Sequence, residues 1–297
     1  MIPLLVAVAL MLQPADNGAS TLGGKLPATW PPPGWPTAVC MPGQPGATDS
    51  SPSAAATIPE DKWVAVLPHV RINRSQRAVE FDGTVAWDFH NPDTPRTELE
   101  LLVCLPLRDK EHESLVVSKA TGAHVHAALL MVGLEPGTPG RIDFGEGTDV
   151  VIKRVPPTGP AVSVAFVYAK GGAERVDDAR TWVVDEADGG PISLVFGGSK
   201  VGQKRNEARE RVNVYNADEL GTLIGLCTFG SETIGNTSVV SPDSGLDRPR
   251  YIANNPGIPP ADTAVRVRIT PVAGTKPATQ ADKNPPPAAP TGPAAQP

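Results

Sequence analysis

The sequence predicts a mainly β domain of the α+β class, a sandwich or partly open barrel of about ten short strands with one packed helix. Three observations lead to this prediction. Apolar residues alternate with polar ones in many short stretches, which is the period of a half-buried strand. One stretch only, near residue 125, has apolar residues at helical spacing. Turn residues separate the stretches every ten residues or so, as in sandwiches and barrels.

The composition divides the chain into a folded part and two arms. The 34 prolines and 29 glycines of the 297 residues lie largely outside the alternating stretches. Residues 20–60 are rich in proline and small residues, and residues 273–297 are rich in proline and alanine. Neither arm has the apolar content to offset the entropy of folding, so both are predicted to be disordered. The folded domain is therefore expected at 61–272.

The first 19 residues are predicted to be a signal peptide. The apolar run MIPLLVAVALML is shorter than the roughly 20 residues that a membrane helix needs. It fits the apolar region of a secretory leader, with small residues near Ala19, although no Lys or Arg precedes it. The protein is therefore expected to be exported, periplasmic or secreted. No other apolar stretch of the chain is long enough to span a membrane, so the mature chain should have no transmembrane segment.

Period-two alternation predicts most of the strands directly. Val79, Phe81 and Val85 face one way in the stretch Arg77–Trp87, and Val162, Val164 and Phe166 do so in Ala161–Lys170. Both faces of Leu99–Leu105 become apolar, which favours a position in the middle of a sheet. The remaining predicted strands are residues 64–70, 114–118, 149–155, 181–184, 191–196, 212–215, 222–229 and 264–270.

A single helix is predicted over residues 123–132. Val125, Ala128, Leu129 and Val132 form the apolar stripe, Thr121 is the N-cap, and Gly133 followed by Pro136 ends the helix. By contrast, the charged stretch KVGQKRNEARER at 200–211 has no apolar periodicity and is predicted to be a solvated loop.

Charge and cysteine content narrow the classes of function. A net charge of −6 argues against nucleic-acid binding, which usually requires a basic surface. Three cysteines make no disulfide framework. Cys104 and Cys227 lie in apolar strand patterns, where free buried thiols are common, and a bridge between them is the alternative.

The stretch from Lys110 to Gly137 carries a resemblance to a known family. KEHES at 110–114, HAALL at 126–130 and GLEPG at 133–137, together with FGGS, YNADELG and LIGLCTF downstream, resemble the YdjY-domain family of exported bacterial proteins. The resemblance implies a β-rich domain and an envelope or secreted location, but no particular reaction. It singles out the following residues: Glu100, Lys110, Glu111, His112, Glu113, Ser114, His126 and Gly137. It does not cover His124, whose role it leaves open.

Three interpretations of this cluster are compatible with its residue types. His112, His126 and Glu113 are candidate ligands of a divalent transition metal such as zinc. The same groups are candidates for acid–base catalysis. Alternatively, Lys110 pairs with the glutamates, and His126 donates to a strand carbonyl in a structural network. His112 lies just before the strand predicted at 114–118, and His126 lies near the start of the predicted helix. Because only a short connection joins this strand to the helix, we expect the two histidines to lie close together.

No complete catalytic set is evident elsewhere. Ser114 lacks the glycines of a nucleophile elbow, and FGGSK lacks the spacing of a phosphate loop. We therefore expect a non-enzymatic binding or structural domain of the cell envelope, with an envelope protein as a candidate partner. A metal-binding protein or metal-dependent enzyme centred on His112 and His126 is the alternative.

Overall fold

The computed structural model describes residues 62–93, 96–106, 109–145, 152–187 and 192–274. The predicted signal peptide and linker, and the predicted tail beyond residue 274, lie outside the described residues, as does Cys40. In the described part of the chain, no helix is long and apolar enough to cross a membrane.

The domain is mainly β, as predicted. The strands of the described residues are β1 Val64–Leu67, β2 Val70–Asn73, β3 Ala78–Val85, β4 Glu98–Leu99, β5 Leu101–Cys104, β6 Ser114–Ser118, β7 Arg141–Phe144, β8 Ile152–Val155, β9 Ala161–Lys170, β10 Ala173–Asp178, β11 Val183–Asp185, β12 Leu194–Phe196, β13 Val201–Arg205, β14 Arg211–Tyr215, β15 Thr222–Gly225, β16 Ile234–Asn236, β17 Tyr251–Ala253 and β18 Ala264–Pro271. The helices are α1 Gly122–Met131 and α2 Asn216–Leu220, and short 3₁₀ turns span Glu111–Glu113, Ala179–Trp182 and Asn255–Gly257.

Eight of the strands close into a barrel. Their order is β3-β18-β9-β12-β16-β15-β5-β6, and β6 pairs back with β3 through Gly83↔Ser118 and Val85↔Val116. Closure removes the exposed sheet edges that an open sheet would leave. The hairpin β1–β2 extends from β3, and β10 extends from β9. Of the two predicted architectures, the chain therefore adopts the barrel, and the barrel is closed.

Three small sheets surround the barrel. One is the three-stranded sheet β11-β17-β4, and the others are the two-stranded hairpins β7–β8 and β13–β14. Strand β13 corrects the prediction of a loop at 200–211, whereas its partner β14 agrees with the strand predicted at 212–215. Both faces of β13 are largely exposed, so no apolar alternation marks it, and side-chain bonds such as Lys204 Nζ to Glu219 (2.6 Å) stabilise it locally.

The strand count also exceeds the prediction of about ten, because several predicted strands are divided. Residues 64–70 contain a turn at Pro68 and His69, so that they contribute to both β1 and β2. The predicted strand Leu99–Leu105 is interrupted at Glu100, so that β4 and β5 join different sheets. As predicted, β5 is a central strand, between β15 and β6.

The helix α1 confirms the local prediction in detail. Thr121 Oγ1 accepts the His124 amide at 3.2 Å, and the stripe residues Val125, Ala128 and Leu129 are fully buried against β2 and β3. At its end, Gly133 adopts a positive φ of 78°. The Leu134 amide donates to the Leu129 carbonyl and the Gly133 amide to that of Leu130, which is the Schellman arrangement.

Candidate functional site

Two short connections between parallel strands meet at one end of the barrel. Residues 105–113 join β5 to β6, and residues 226–233 join β15 to β16, although parallel strands usually need a dozen residues or more for such a connection. Strand β5 is antiparallel to β15, so Leu101 at its start pairs with Gly225 at the end of β15. It is parallel to β6, so Leu101 also pairs with Ser114 at the start of β6. Both connections therefore reach the residue that precedes β5, which is Glu100.

The backbone of Glu100 holds this junction together. Its amide donates to the Glu113 carbonyl at 2.9 Å, and its carbonyl accepts the amides of both Leu226 and Cys227, each at 2.9 Å. One residue thus links the end of the first connection to the start of the second. This is why the strand predicted over 99–105 is interrupted at Glu100.

The Glu100 side chain belongs to an ion cluster at the same place. Lys110 Nζ lies 2.7 Å from Glu100 Oε2 and 3.3 Å from Glu113 Oε2, and it lies 5.0 Å from the centre of the Phe229 ring. The three charged side chains are between 17% and 30% exposed, so the cluster is half-buried. We call Glu100, Lys110 and Glu113 the glutamate–lysine cluster.

Burial and neighbouring charges shift the protonation of this cluster. Burial raises the pKa of the Glu100 carboxyl, and the nearby Glu113 adds to the rise, while Lys110 opposes it. For Lys110, burial lowers the pKa, but the hydrogen bonds and charges of the two glutamates outweigh it, so the pKa rises. Lys110 therefore stays charged, and its charge is matched by the glutamates it contacts.

The other residues of KEHES have separate positions. Glu111, His112 and Glu113 form a 3₁₀ turn, and Ser114 Oγ donates to the Lys110 carbonyl at 2.6 Å, which closes the turn. The His112 side chain is 57% exposed, with Nε2 3.5 Å from Glu113 Oε1. Ser114 thus has a structural hydrogen bond, and His112 lies at the surface.

His126 is placed in a different, buried setting on α1. Its Nδ1 lies 3.1 Å from the Gly198 carbonyl oxygen and 2.9 Å from Tyr215 Oη. Because a carbonyl can only accept, Nδ1 carries the proton. The Tyr215 hydroxyl also donates to the Gly198 carbonyl and lies 3.1 Å from Thr233 Oγ1, and the Phe196 ring packs edge-on at 5.0 Å from the imidazole. We call His126, Tyr215 and Thr233 the buried histidine network.

Burial controls the protonation of this network too. It lowers the pKa of His126 to about 4, against the weaker effect of the Gly198 carbonyl, which raises it. Burial also raises the pKa of the Tyr215 hydroxyl. Both groups are therefore neutral near pH 7. The interpretation of a histidine that donates to a carbonyl agrees with this geometry.

The motif YNADELG fixes α1 from the far side. Tyr215 immediately precedes α2, and Asp218 within α2 accepts the amides of Gly122 and Ala123 at 2.5 and 3.2 Å. These are the first amides of α1, which have no partner within the helix. The motif therefore caps α1 and orients His126. From sequence alone, neither Tyr215 nor Asp218 was identified as part of the site.

Glu232 is a further residue that sequence reasoning missed. Its side chain is 1% exposed, and Oε2 accepts the amides of Phe229 and Ser231 at 3.2 and 3.0 Å. Burial raises the pKa of this carboxyl, and the backbone amides oppose the rise. A lone glutamate among the small and apolar residues of CTFGSETIGN is the signal that could have identified it. It holds the connection 226–233 in shape.

Gly137 has a steric role rather than a chemical one. Its amide donates to the Phe196 carbonyl at 2.9 Å, and a Cβ at this position would collide with the carbonyl of Thr158. Three backbone segments therefore cross here at a distance that only glycine permits. This accounts for the glycine that the resemblance singles out.

The metal hypothesis gains no support from the geometry. Within residues 62–274, as far as they are described, no three His, Cys, Asp or Glu side chains are grouped so that they could hold a metal ion. His112 contacts Glu113, whereas the contacts of His126 are to Gly198 and Tyr215. Cys104 and Cys227 are buried free thiols, and burial raises their pKa to about 11 and about 12.

Comparison with known proteins agrees with the motif-based resemblance. The family model of the YdjY domain matches residues 70–270, which run from the start of β2 to the residue before the end of β18 and include nearly all of the barrel. No curated protein and no solved structure gave a match. The match covers more than half of the chain and contains both the glutamate–lysine cluster and the buried histidine network. The chain belongs to the YdjY-domain family.

Proposed function

We propose that this protein is a non-enzymatic binding domain that acts outside the cytoplasm. One observation carries the proposal: the side chains that resemble a catalytic or metal site bond to one another and to the backbone. Lys110 bonds to Glu100 and Glu113, and His126 bonds to Gly198 and Tyr215. Groups engaged in this way stabilise the junctions of a fold.

The protonation states support the same proposal. A general acid or base works best when its pKa is near the working pH. Burial moves the pKa of His126 to about 4 and that of the Tyr215 hydroxyl upward, away from neutrality in each case. Lys110, with its raised pKa, is a poor base for the same reason. These residues are better suited to holding the barrel than to proton transfer.

Export is proposed from the sequence. The apolar run at residues 2–12 is typical of a secretory leader, and the resemblance to the YdjY-domain family implies an envelope or secreted location. Fractionation of cells that express the full chain tests this proposal. Recovery of a shortened protein outside the cytoplasm is the expected result, and recovery of the intact chain in the cytoplasm would contradict it.

The non-enzymatic role is tested by the substitution Lys110→Met in the full chain. Removing the ammonium leaves two half-buried carboxylates without their cation, so the free energy of unfolding should fall by about 1–3 kcal/mol. Catalytic residues tend to be neutral or costly for stability, so their removal usually leaves stability unchanged or raised. The matched control is Lys204→Met, which removes an ion pair whose lysine is exposed and should cost less than about 1 kcal/mol.

Chemical denaturation of the three proteins measures the difference. Elemental analysis of untagged protein accompanies it. If Lys110→Met is as stable as the parent, or if the protein carries stoichiometric zinc, copper or iron, the proposal is wrong and a catalytic or metal role takes its place.

A further inference from the structure

A cleft of about 510 Å³ opens beside the barrel. Its walls come from three parts of the chain: β8, the residues that follow β11, and the segment between β16 and β17. The lining includes Arg154, Val240, Asp247, Arg248, Pro249 and Arg250. Its volume lies in the range of roughly 300–1,000 Å³ that is typical of small-molecule sites.

Arginine is the commonest charged residue of this cleft, and two of its three arginines are paired with carboxylates among the residues that the structure describes. Arg154 bonds to both oxygens of Asp247, at 2.6 and 2.8 Å, and to the Val239 carbonyl. Arg250 bonds to both oxygens of Asp185, at 2.7 and 2.6 Å. Arg248 is exposed and makes no side-chain hydrogen bond or ion pair with any residue that the structure describes.

The two acidic residues of the lining are also occupied. Asp247 is held by Arg154, and Glu186 lies 2.6 Å from Arg96 Nη2. Three arginines therefore face two carboxylates in the lining, and the positive charge that remains is that of Arg248. A guanidinium presents a planar fork of donors that matches a carboxylate or a phosphate.

Apolar residues form another part of the wall of the cleft, namely Val239, Val240 and Pro249. The β7–β8 hairpin extends this apolar surface. In the hairpin, Arg154 pairs with Ile142, and Ile152, two residues before Arg154, pairs with Phe144. Residues two apart on a strand share a face. The exposed Phe144 and Ile152, with 57% and 38% of their surface accessible, thus lie on the same face as Arg154.

We propose that this cleft binds a small organic anion that has an apolar body. The acidic group would be held by the unpaired guanidinium of Arg248. The apolar body would lie against Val239, Val240 and Pro249 and reach toward Phe144. This inference rests on the proposed binding function and names the class of its ligand.

The cleft is also connected to the residues that mark the family. The Thr228 amide donates to the Val240 carbonyl at 2.8 Å, so a wall of the cleft is bonded to the connection 226–233. Burial raises the pKa of the Cys227 thiol, and the negative charges of Glu100 and Asp247 raise this pKa further. Cys227 therefore lies near the cluster and near the cleft, and occupation of the cleft should be detectable in the cluster.

The test is a titration of the full chain with sodium octanoate and, separately, with inorganic phosphate at constant ionic strength. Isothermal calorimetry gives the dissociation constants, and amide NMR identifies the residues that respond. Saturable binding of octanoate, stronger than that of phosphate, with shifts at Val240 and Thr228, is the expected result.

Two variants and a control locate the site. Arg248→Gln should weaken octanoate binding about tenfold or more, because a charge-assisted hydrogen bond is lost. Phe144→Ser should weaken octanoate binding and leave phosphate binding unchanged. Arg74→Gln, which alters another exposed arginine, should change neither. Since Arg248 and Phe144 are exposed, thermal melts should show that both variants fold as the parent does.

The outcomes separate this inference from the function on which it rests. No saturable octanoate binding, or binding that Arg248→Gln leaves unchanged, overturns the anion site. Equal affinity for phosphate and octanoate overturns the apolar part of the proposal. None of these results alters the stability of Lys110→Met or the metal content, which test the proposed function independently.

Discussion

The two histidine-containing parts of the family motif behave in opposite ways. His112 lies in KEHES, on a surface turn beside a half-buried ion cluster, with 57% of its side chain exposed. His126 lies only 14 positions later in the sequence, but it is 6% exposed and bonded inside the domain. Residue type and proximity in sequence therefore do not identify a shared site. Burial decides whether each polar group can meet a ligand or serves the fold.

The same comparison extends to the groups around each histidine. The glutamate–lysine cluster places one ammonium between two carboxylates at a partly hydrated position. The buried histidine network is made of neutral groups, and burying a neutral polar group costs less desolvation free energy than burying a charged one. The cluster therefore lies at a partly exposed junction of the barrel, whereas the network lies inside the domain against α1.

The largest effect is expected on the buried side, from Leu129→Ala. Leu129 is fully buried on the face of α1 that packs on the sheet, so the free energy of unfolding should fall by about 2–5 kcal/mol. Met131→Ala on the same helix is the control, because 42% of Met131 is exposed and it should lose much less. Urea denaturation measures both variants. Equal losses would mean that α1 is not anchored by its apolar stripe.

The success of the α1 prediction shows which information is local. The N-cap Thr121, the stripe and the stop at Gly133 are all encoded within fifteen residues, and each of them has the predicted position. Strands β9 and β18 were predicted equally well, because the alternation of apolar and polar residues is enough to identify a half-buried strand. Short-range physics thus determined these elements.

What the sequence did not reveal depends on contacts between distant residues. Barrel closure joins Gly83 to Ser118, and the partner of His126 is Tyr215, 89 residues away. No local pattern specifies such pairs, and for this reason the barrel could not be chosen over the sandwich. Strand β13 was missed for a different reason, since a strand without a buried face shows no alternation of apolar and polar residues.

The second prediction concerns the pH dependence that His126 should confer. Its pKa is about 4 in the folded chain and near 6.5 in the unfolded chain. Between these values the unfolded state binds more protons, so stability is lost as the pH falls from 6.5 toward 4 and is fully present above that window. Integration gives an effect of about 3 kcal/mol.

Denaturation of the parent and of His126→Asn at pH 7 and pH 5 measures this effect. Asparagine keeps a donor for the Gly198 carbonyl but does not titrate, so the variant should lose less stability on acidification than the parent. The comparison is needed because burial raises the pKa of Glu100, Asp218 and Glu232, which act in the opposite direction. Identical pH dependence in the two proteins would mean that His126 is solvated in the folded state.

The third prediction tests how the network side is held in place. Asp218→Ala removes the acceptor of the Gly122 and Ala123 amides, so stability should fall by about 0.5–2 kcal/mol, as for other helix caps. Asp218→Asn keeps an acceptor and serves as the control. Hydrogen exchange at Gly122 and Ala123 should accelerate in the alanine variant. If exchange there is unchanged, Thr121 alone caps the helix.

The smallest effect is expected from His112→Ala, on the other side of the comparison. The imidazole is largely exposed, and its contact with Glu113 at 3.5 Å is an ion pair only when the ring is protonated. Exposed pairs of this kind contribute about 1 kcal/mol or less, and surface substitutions usually change stability by no more than about 0.5 kcal/mol. The variant should therefore unfold at the same urea concentration as the parent, and added zinc should shift neither midpoint. A zinc-dependent rise in the stability of the parent that disappears in His112→Ala would contradict this, because it would show that the surface turn recruits a metal despite the separate contacts of His112 and His126.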